Sequence, residues 1–521
     1  MRTIILLLFV PSCLAFQFPF SIPDIFKPKV QPFVFDSVPP ATPRIAIIGA
    51  GAGGSSAAFW LSKAKQRSGL DIEVDIYEQS SYVGGRSTIV YPYANTSLSP
   101  LELGASIFVK ANKNLWRATE EFNLTRRNFE GQGKDYEIGV WDGENIVVSF
   151  GNSWLDTIKL FWRYGFSPRR TQQAVDDLIK TISRLYDQDP PRWDNITALS
   201  DSLGWTNLIQ STAAKFLADR GVSDAFAREI VEGSTRVNYA QNIDQLHALE
   251  GCVAMATGGA TSVQGGNYKI FENFVNKSRA KLFLNTTVTN IKPKSDSPRL
   301  WTVYSSRGSI DYQAVVLAAP FHSCGITLPK SLSSQIPEQP YVRLHVTLLT
   351  TTSPTPNPAY FSLSPTSKMP RMILTTYDAV RKGGKEPEFF SLSYHGLVRE
   401  DEWAVKIFSK QPISDNWLEK VFHEKVGWVH RKEWESYPVL PPTSTFPPIR
   451  LDRGLFYINA FEPFISAMET ETIASRNVID LLLNEEFQTS LCDARISGSA
   501  DNSSSQFAFG HDQRFIYGWD C

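Results

Sequence analysis

Apolar and polar positions follow two rhythms along this chain, and the places where the rhythm changes outline its architecture. "RIAII" is a short continuous apolar run ending in the turn "GAGAGG". "SSAAFWLSKA" then spaces apolar residues as a helix, and "IEVDIYE" is a second short apolar run. Strand, helix and strand in that order predict a βαβ unit. Helical spacing dominates from about 111 to 254; in "TQQAVDDLIKTISRLYD", Val175, Leu178, Ile179, Ile182, Leu185 and Tyr186 share one face, which reads as core. Strand patterns return at "AKLFLNTTVTNIKPK", "RLWTVYSS" and "YQAVVLAAP". Residues 331 to 449 mix strands ("YVRLHVTLLTT", "MPRMILTTY") with Pro-rich loops. "GLFYINAFEP" predicts a strand and turn, and "SAMETETIASRNVIDLLL" a helix beginning near Ala467 or Met468.

The ends read differently. Arg2, the apolar run Ile4 to Val10, Pro11 and small residues up to Ala15 predict a secretory signal peptide over 1–15, cleaved after Ala15. The apolar run is too short to span a bilayer, and no other stretch of about 18 apolar residues occurs. Residues 16–42 are Phe- and Pro-rich, which blocks helix and central strand and predicts an extended arm or linker. Residues 486–521 read as a tail of loops.

Composition sharpens this only in places. The 521 residues suggest two interleaved domains plus tails. A net charge of −1 gives no reason to expect a nucleic-acid partner. Six N-x-S/T sequons, at Asn95, Asn123, Asn195, Asn276, Asn285 and Asn502, agree with a secreted glycoprotein. With Cys13 in the signal, Cys252, Cys324, Cys492 and Cys521 remain and allow three pairings. Neither the cysteines nor the seven histidines have metal-ligand spacing.

The chemistry starts at the glycine turn. Gly49, Gly51 and Gly54 satisfy GxGxxG, with Gly53 beside them. The first glycine permits the turn, the second lets backbone approach a pyrophosphate, and the third lets helix and strand pack. The following helix aims free N–H groups at the phosphates. Glu78 ends the second strand, 24 residues beyond Gly54, where a carboxylate accepts from a ribose diol. Together these predict a dinucleotide. Six residues past Glu78 comes Gly84-Gly85-Arg86, able to wrap the far side of the pyrophosphate, then Gly104-Ala105-Ser106, where backbone can approach a flat ring.

The order Glu78, Gly-Gly-Arg, Leu-Gly-Ala resembles the FAD-dependent amine oxidase-like superfamily. That resemblance implies FAD as cofactor and places Gly265, Gly266 and Val288 with it. The segment around "FYINAFEPFISAMETETIASRNV" resembles that superfamily's last FAD segment and adds Glu462, Met468 and Glu469, although the superfamily more often carries glycines there. A helix N-terminus at the flavin edge would stabilise an anionic reduced flavin. No cysteine or histidine sits in an attachment motif, so the FAD is expected to be non-covalent. The fold class implied is α/β: a Rossmann-type FAD-binding domain (43–110, 255–330 and 450–485) interleaved with an α+β substrate-binding domain (111–254 and 331–449).

A narrower resemblance lies in "RVNYAQNIDQLHALEGCVAMA…SVQGGNYKIFENFV", "YEQSSYVGGR" and "LELGASIFVKANKNL". These segments are similar to the prenylcysteine oxidase family. The resemblance implies oxidation of the farnesylcysteine or geranylgeranylcysteine thioether with O₂ and water, giving cysteine, a prenyl aldehyde and hydrogen peroxide. It also implies a vacuolar, lysosomal or secreted protein, without fixing oligomeric state. Hydride loss from a carbon flanked by sulfur and an alkene needs orientation more than a strong base, so no catalytic triad is expected. Catalytic residues stay unassigned, with three candidates. His247 is a candidate relay or a structural histidine. Arg236 and Asn238 are candidate anchors for the zwitterionic cysteine, or helix-face and capping residues. Two alternatives remain open: another flavin oxidase of this fold acting on an amine or terpenoid thioether, and a flavoprotein without turnover.

Overall fold

The computed structural model describes residues 42–128, 137–151, 153–492 and 515–521. The signal segment, the arm up to residue 41 and sequon Asn502 lie outside the described residues. The helices used below are α1 (Ala52–Ser68), α2 (Lys113–Glu121), α3 (Trp154–Tyr164), α4 (Ser167–Ile182), α5 (Ala248–Met255), α6 (Tyr268–Ser278) and α7 (Met468–Phe487).

The "RIAII" run forms the strand Arg44–Ile48 within a six-stranded sheet. Its neighbours on one side are Ala314–Leu317, Leu455–Tyr457 and Arg450–Asp452; on the other they are Glu73–Tyr77 and Lys281–Phe283. All pairings are parallel except the edge strand Arg450–Asp452. Ile45, Ala46 and Ile47 are all fully buried, as a parallel strand covered on both faces requires. Helix α1 packs between α6 and α7. Its small residues let α7 come close enough for Ser56 Oγ to reach Ser475 Oγ at 3.0 Å and for Ser475 Oγ to donate to Gly53 O at 2.6 Å. Gly54 is what allows helix on strand: a Cβ there would lie 1.8 Å from Gly49 O.

The second sheet has seven strands, in the order Val426–Pro438, Tyr341–Thr351, Glu402–Ser409, Ser391–Arg399, Met372–Thr375, Ile138–Trp141 and Ile146–Phe150. Its last two strands come from the stretch expected to be mostly helical. They form a hairpin because "WDGEN" makes a turn in which Asp142 Oδ1 accepts from Glu144 N and Asn145 N. A second departure is the split of "AKLFLNTTVTNIKPK". Lys281–Phe283 joins the six-stranded sheet, whereas Val288–Lys294 pairs with Ser297–Ser305; Asn285, at φ +50°, turns the chain between them.

The tail is not entirely free. Cys492 and Cys521 form a disulfide while Cys252 and Cys324 stay thiols, so none of the three complete pairings forms. Trp519 packs on Phe59 and Trp60 of α1, and Arg67 donates to the carbonyls of Gly518 and Trp519.

Candidate active site

The carboxyl ends of three parallel strands, at Gly49, Glu78 and Ala318, open into one cavity of about 1980 Å³. That is where open α/β sheets bind ligands. The opposite wall is the seven-stranded sheet, which contributes Leu344, Leu348, Leu374, Tyr394, Trp403 and Phe408. Helix α4 closes a side with Leu178, Ile179 and Ile182. The apolar stripe read as core therefore has two uses: Val175, Leu185 and Tyr186 are buried, while Ile179 and Ile182 are only half-buried and face the cavity.

The first wall fits a dinucleotide. Gly51 caps α1 without any side-chain hydrogen bond, and no acidic residue sits in the first turn. The orphan N–H groups of that turn therefore have no acidic side chain from the helix itself, and Gly49, Gly51, Ala52 and Gly53 line the cavity there. Gly49 sits at φ +107°, where any Cβ would strike Ala318 O. Glu78 lines the same end; its Oε2 accepts from Ala50 N at 2.8 Å and its Oε1 from Ser80 N at 2.7 Å. Gly85 folds back onto Gly51.

Arg86 and Glu462, both expected at the cofactor, meet each other: Arg86 Nη1 lies 2.5 Å from Glu462 Oε1. Burial alone would lower the Arg86 pKa, but the Glu462 carboxylate overrides it and holds the guanidinium charged. Tyr341 and Asn459 donate to Glu462 Oε2. Helix α7 begins where expected and turns Met468, Thr470 and Glu471 into the cavity. Glu471 was not anticipated. Burial, then the nearby Glu462, push its carboxyl well up, and its Oε1 has no partner within the protein.

Gly104, Ala105 and Ser106 meet Gly265 and Gly266 across the cavity floor, joined by Asn267. Asn267 Oδ1 accepts from Val263 N, its Nδ2 donates to Ala105 O, and its backbone N donates to Glu102 Oε1 at 2.6 Å. Lys406 reaches this floor from the strand Glu402–Ser409 and donates to Ser106 Oγ at 2.8 Å. Burial pushes the Lys406 ammonium down and the Glu102 carboxyl up. Glu102 Oε2 has no partner within the protein. His395 lines the same wall, and burial lowers it to about 3. Lys406 and His395 carried no sequence signal, because strand alternation alone puts them on the cavity face.

Five expected site residues lie elsewhere. His247 is fully buried and caps α5: its Nδ1 accepts from Glu250 N, which leaves Nε2–H for Pro463 O. Burial lowers it to about 4. Arg236 points away from the cavity and donates to Thr375 Oγ1 and Asn242 Oδ1 over the Phe390 ring. Glu469 accepts from Asn114 N, Leu115 N and Tyr186 Oη, capping α2; two residues from Glu471 on a helix is the opposite face. Val288 is buried in its sheet pairing. Gly54 also does not line the cavity and acts through packing. Asn238 does line it, though its Nδ2 already donates to Ser234 O and Ala254 O. Sequons Asn95, Asn123, Asn195, Asn276 and Asn285 are all exposed. Among the described residues no helix is long and apolar enough to cross a membrane, and no cluster of three His, Cys, Asp or Glu is arranged to hold a metal.

Comparison with known proteins agrees with this geometry. Residues 149–493 match the family described as prenylcysteine lyase, and residues 47–122 match an NAD(P)-binding Rossmann-like domain. A farnesylcysteine lyase of Arabidopsis thaliana is 29% identical, over 90% of this chain and 95% of its own. Prenylcysteine oxidase 1 of Homo sapiens is 27% identical, over 83% and 87%. Among solved structures, the cyclohexylamine oxidase of Brevibacterium oxydans superposes with a TM-score of 0.56 at 16% identity, covering 85% of this chain and 99% of that one, a likeness of fold.

Proposed function

This chain belongs to the prenylcysteine lyase family, and we propose that it is an FAD-dependent oxidase that cleaves the thioether of farnesylcysteine or geranylgeranylcysteine. The observation carrying this reading is that a dinucleotide cradle and a long apolar wall share one cavity. The uncapped N-terminus of α1, Glu78 and the Gly84–Arg86 turn would hold the adenosine and pyrophosphate end. The floor at Gly104–Ser106, Gly265, Gly266 and the start of α7 would hold the ring. A flavin held there non-covalently would supply a hydride acceptor and a route for the electrons to O₂.

The protein's own part is to bind and orient. Leu178, Ile179, Ile182, Leu344, Leu348 and Trp403 offer the prenyl chain an apolar surface. Burying such a chain gains about 0.8 kcal/mol per CH₂, so the tail dominates affinity and leaves the polar head to fix position. The head is a zwitterion. The Lys406 side-chain nitrogen, on Ser106 Oγ, and the Glu102 oxygen left without a partner flank the floor, placed to meet its carboxylate and its ammonium. This pair takes the anchoring role first expected of Arg236. Water adds to the oxidised carbon and the hemithioacetal collapses, so the products are cysteine, the prenyl aldehyde and hydrogen peroxide. Secretion and glycosylation at the exposed sequons belong to the same reading.

The test is to add farnesylcysteine to purified protein without oxygen and follow flavin absorbance, then admit air and quantify peroxide and farnesal. Bleaching with one aldehyde and one peroxide per thioether is the expected outcome. Bleaching by amines alone, or purification without FAD, overturns the reading.

A further inference from the structure

Six of the ten large apolar side chains that are exposed among the described residues lie within thirteen positions, on α3 and the turn after it. Trp154 is 71% exposed, Leu155 51%, Ile158 43%, Phe161 53%, Trp162 83% and Phe166 60%. The other four are scattered singly and need no explanation. An ordinary surface helix turns its apolar face inward; α3 is the reverse. Its polar attachments hold it to the body: Arg163 Nε donates to Glu229 Oε2 and Arg163 Nη2 to Glu229 Oε1, both at 2.8 Å, and buried Tyr164 donates to Glu229 Oε2 at 2.6 Å. The apolar side is thereby fixed facing outward.

We propose that α3 is the element by which this protein sits on a lipid bilayer carrying anionic headgroups, with its aromatic face lodged in the interfacial region. Three observations choose lipid over a protein partner. The flank is basic, with exposed Arg169 and with Arg170, which also donates to Gly221 O; the one acidic side chain of α3, Asp156, is occupied by Ser153 in a capping box and by the exposed Lys159 at 3.5 Å. Tryptophans stand near both ends, as in helices that lie in a membrane interface. Finally, α4 follows α3 after two residues and lines the cavity with Leu178, Ile179 and Ile182. One helical pair thus joins the lipid-facing side to the apolar wall. This last point rests on the prenylcysteine reading: a prenylated substrate dissolves in membranes, and a seated enzyme takes it from the leaflet without passage through water.

The full chain is mixed with phosphatidylcholine vesicles with or without phosphatidylserine, and binding is read by co-flotation and by the blue shift of tryptophan emission. Wild type is expected to float, more strongly with phosphatidylserine. The triple variant Trp154→Ser, Phe161→Ser, Trp162→Ser should bind at least about thirtyfold more weakly to both. Lys159→Glu with Arg169→Glu should lose about tenfold on the anionic vesicles alone. None of these residues lines the cavity, so turnover of short-chain, water-soluble geranylcysteine should be unchanged in every variant, while turnover of vesicle-dissolved geranylgeranylcysteine should fall with binding. Wild type that turns over geranylcysteine but ignores vesicles overturns the membrane seat and leaves the reaction standing. Vesicle binding without turnover overturns the reaction and leaves the seat. Concentration-dependent dimerisation abolished by the triple variant, without vesicle binding, assigns the face to a second copy and overturns the proposal.

Discussion

The two walls of the cavity are built from different parts of the amino acid. The dinucleotide wall is mostly backbone: uncapped N–H groups, glycines without Cβ and strand ends. The opposite wall is mostly side chain, set on seven strands by alternation. A backbone wall tolerates no added atom, because the surrounding main chain cannot move aside. A side-chain wall tolerates exchange of volume but not of charge, because its few polar groups are buried.

The largest expected effect tests the first half of that contrast. Gly49→Val places a Cβ 2.5 Å from Ala318 O at a φ of +107° and should cost about 5 kcal/mol, leaving no folded flavoprotein; recovery of a yellow protein with wild-type thermal stability would break the comparison. Next comes the seam between the walls, where Glu250 of α5 accepts from Ser466 N at 3.2 Å. Burial raises this carboxyl from 4.5 to about 8. A folded-state value above the unfolded one means that its stabilisation is complete below pH 4.5 and is lost as pH rises through 8. Glu250→Gln should therefore flatten the fall in stability between pH 4.5 and 8, by on the order of 4 kcal/mol at pH 9, read as unfolding midpoints across pH. An unchanged fall between pH 4.5 and 8 would show that Glu250 titrates normally.

Within the side-chain wall, Lys406→Met should keep its flavin and lower kcat/KM for farnesylcysteine about a hundredfold, mainly through KM. Against a substrate lacking the carboxylate, wild type and variant should differ little. Equal losses on both substrates would remove Lys406 from the anchoring role. The smallest effect on turnover concerns His247→Ala. Loss of the cap, of the bond to Pro463 O and of the buried ring costs about 3 kcal/mol, so the melting temperature should drop by about 5 °C with kcat unchanged; a large fall in kcat would restore His247 as a relay.

The glycine turn, Glu78 and the start of α7 were legible because each is a local rule: a φ value, a strand end, a helix start. Arg86 and Glu462 were both legible as site residues, but not as partners of each other. Lys406 and Glu471 were invisible. A lysine in a strand and a glutamate in a helix are unremarkable until the fold buries them. Glu469 was misread for a related reason, since motif position identifies a segment while helix rotation decides which of its neighbouring carboxylates faces the cavity. The hairpin Ile138–Phe150 was missed because its pairing partner, Met372–Thr375, lies more than two hundred residues away.

Sequence alone determined the cofactor-binding unit, the interleaved α/β architecture and the resemblance to a prenylcysteine-cleaving family, because these follow from short-range patterns. Tertiary structure decided which charges are buried together, that His247 and Arg236 serve the framework, which cysteines pair, and that the aromatic side of α3 faces out. Those outcomes depend on desolvation and on which surface meets which, and such energies exist only once distant segments are in contact.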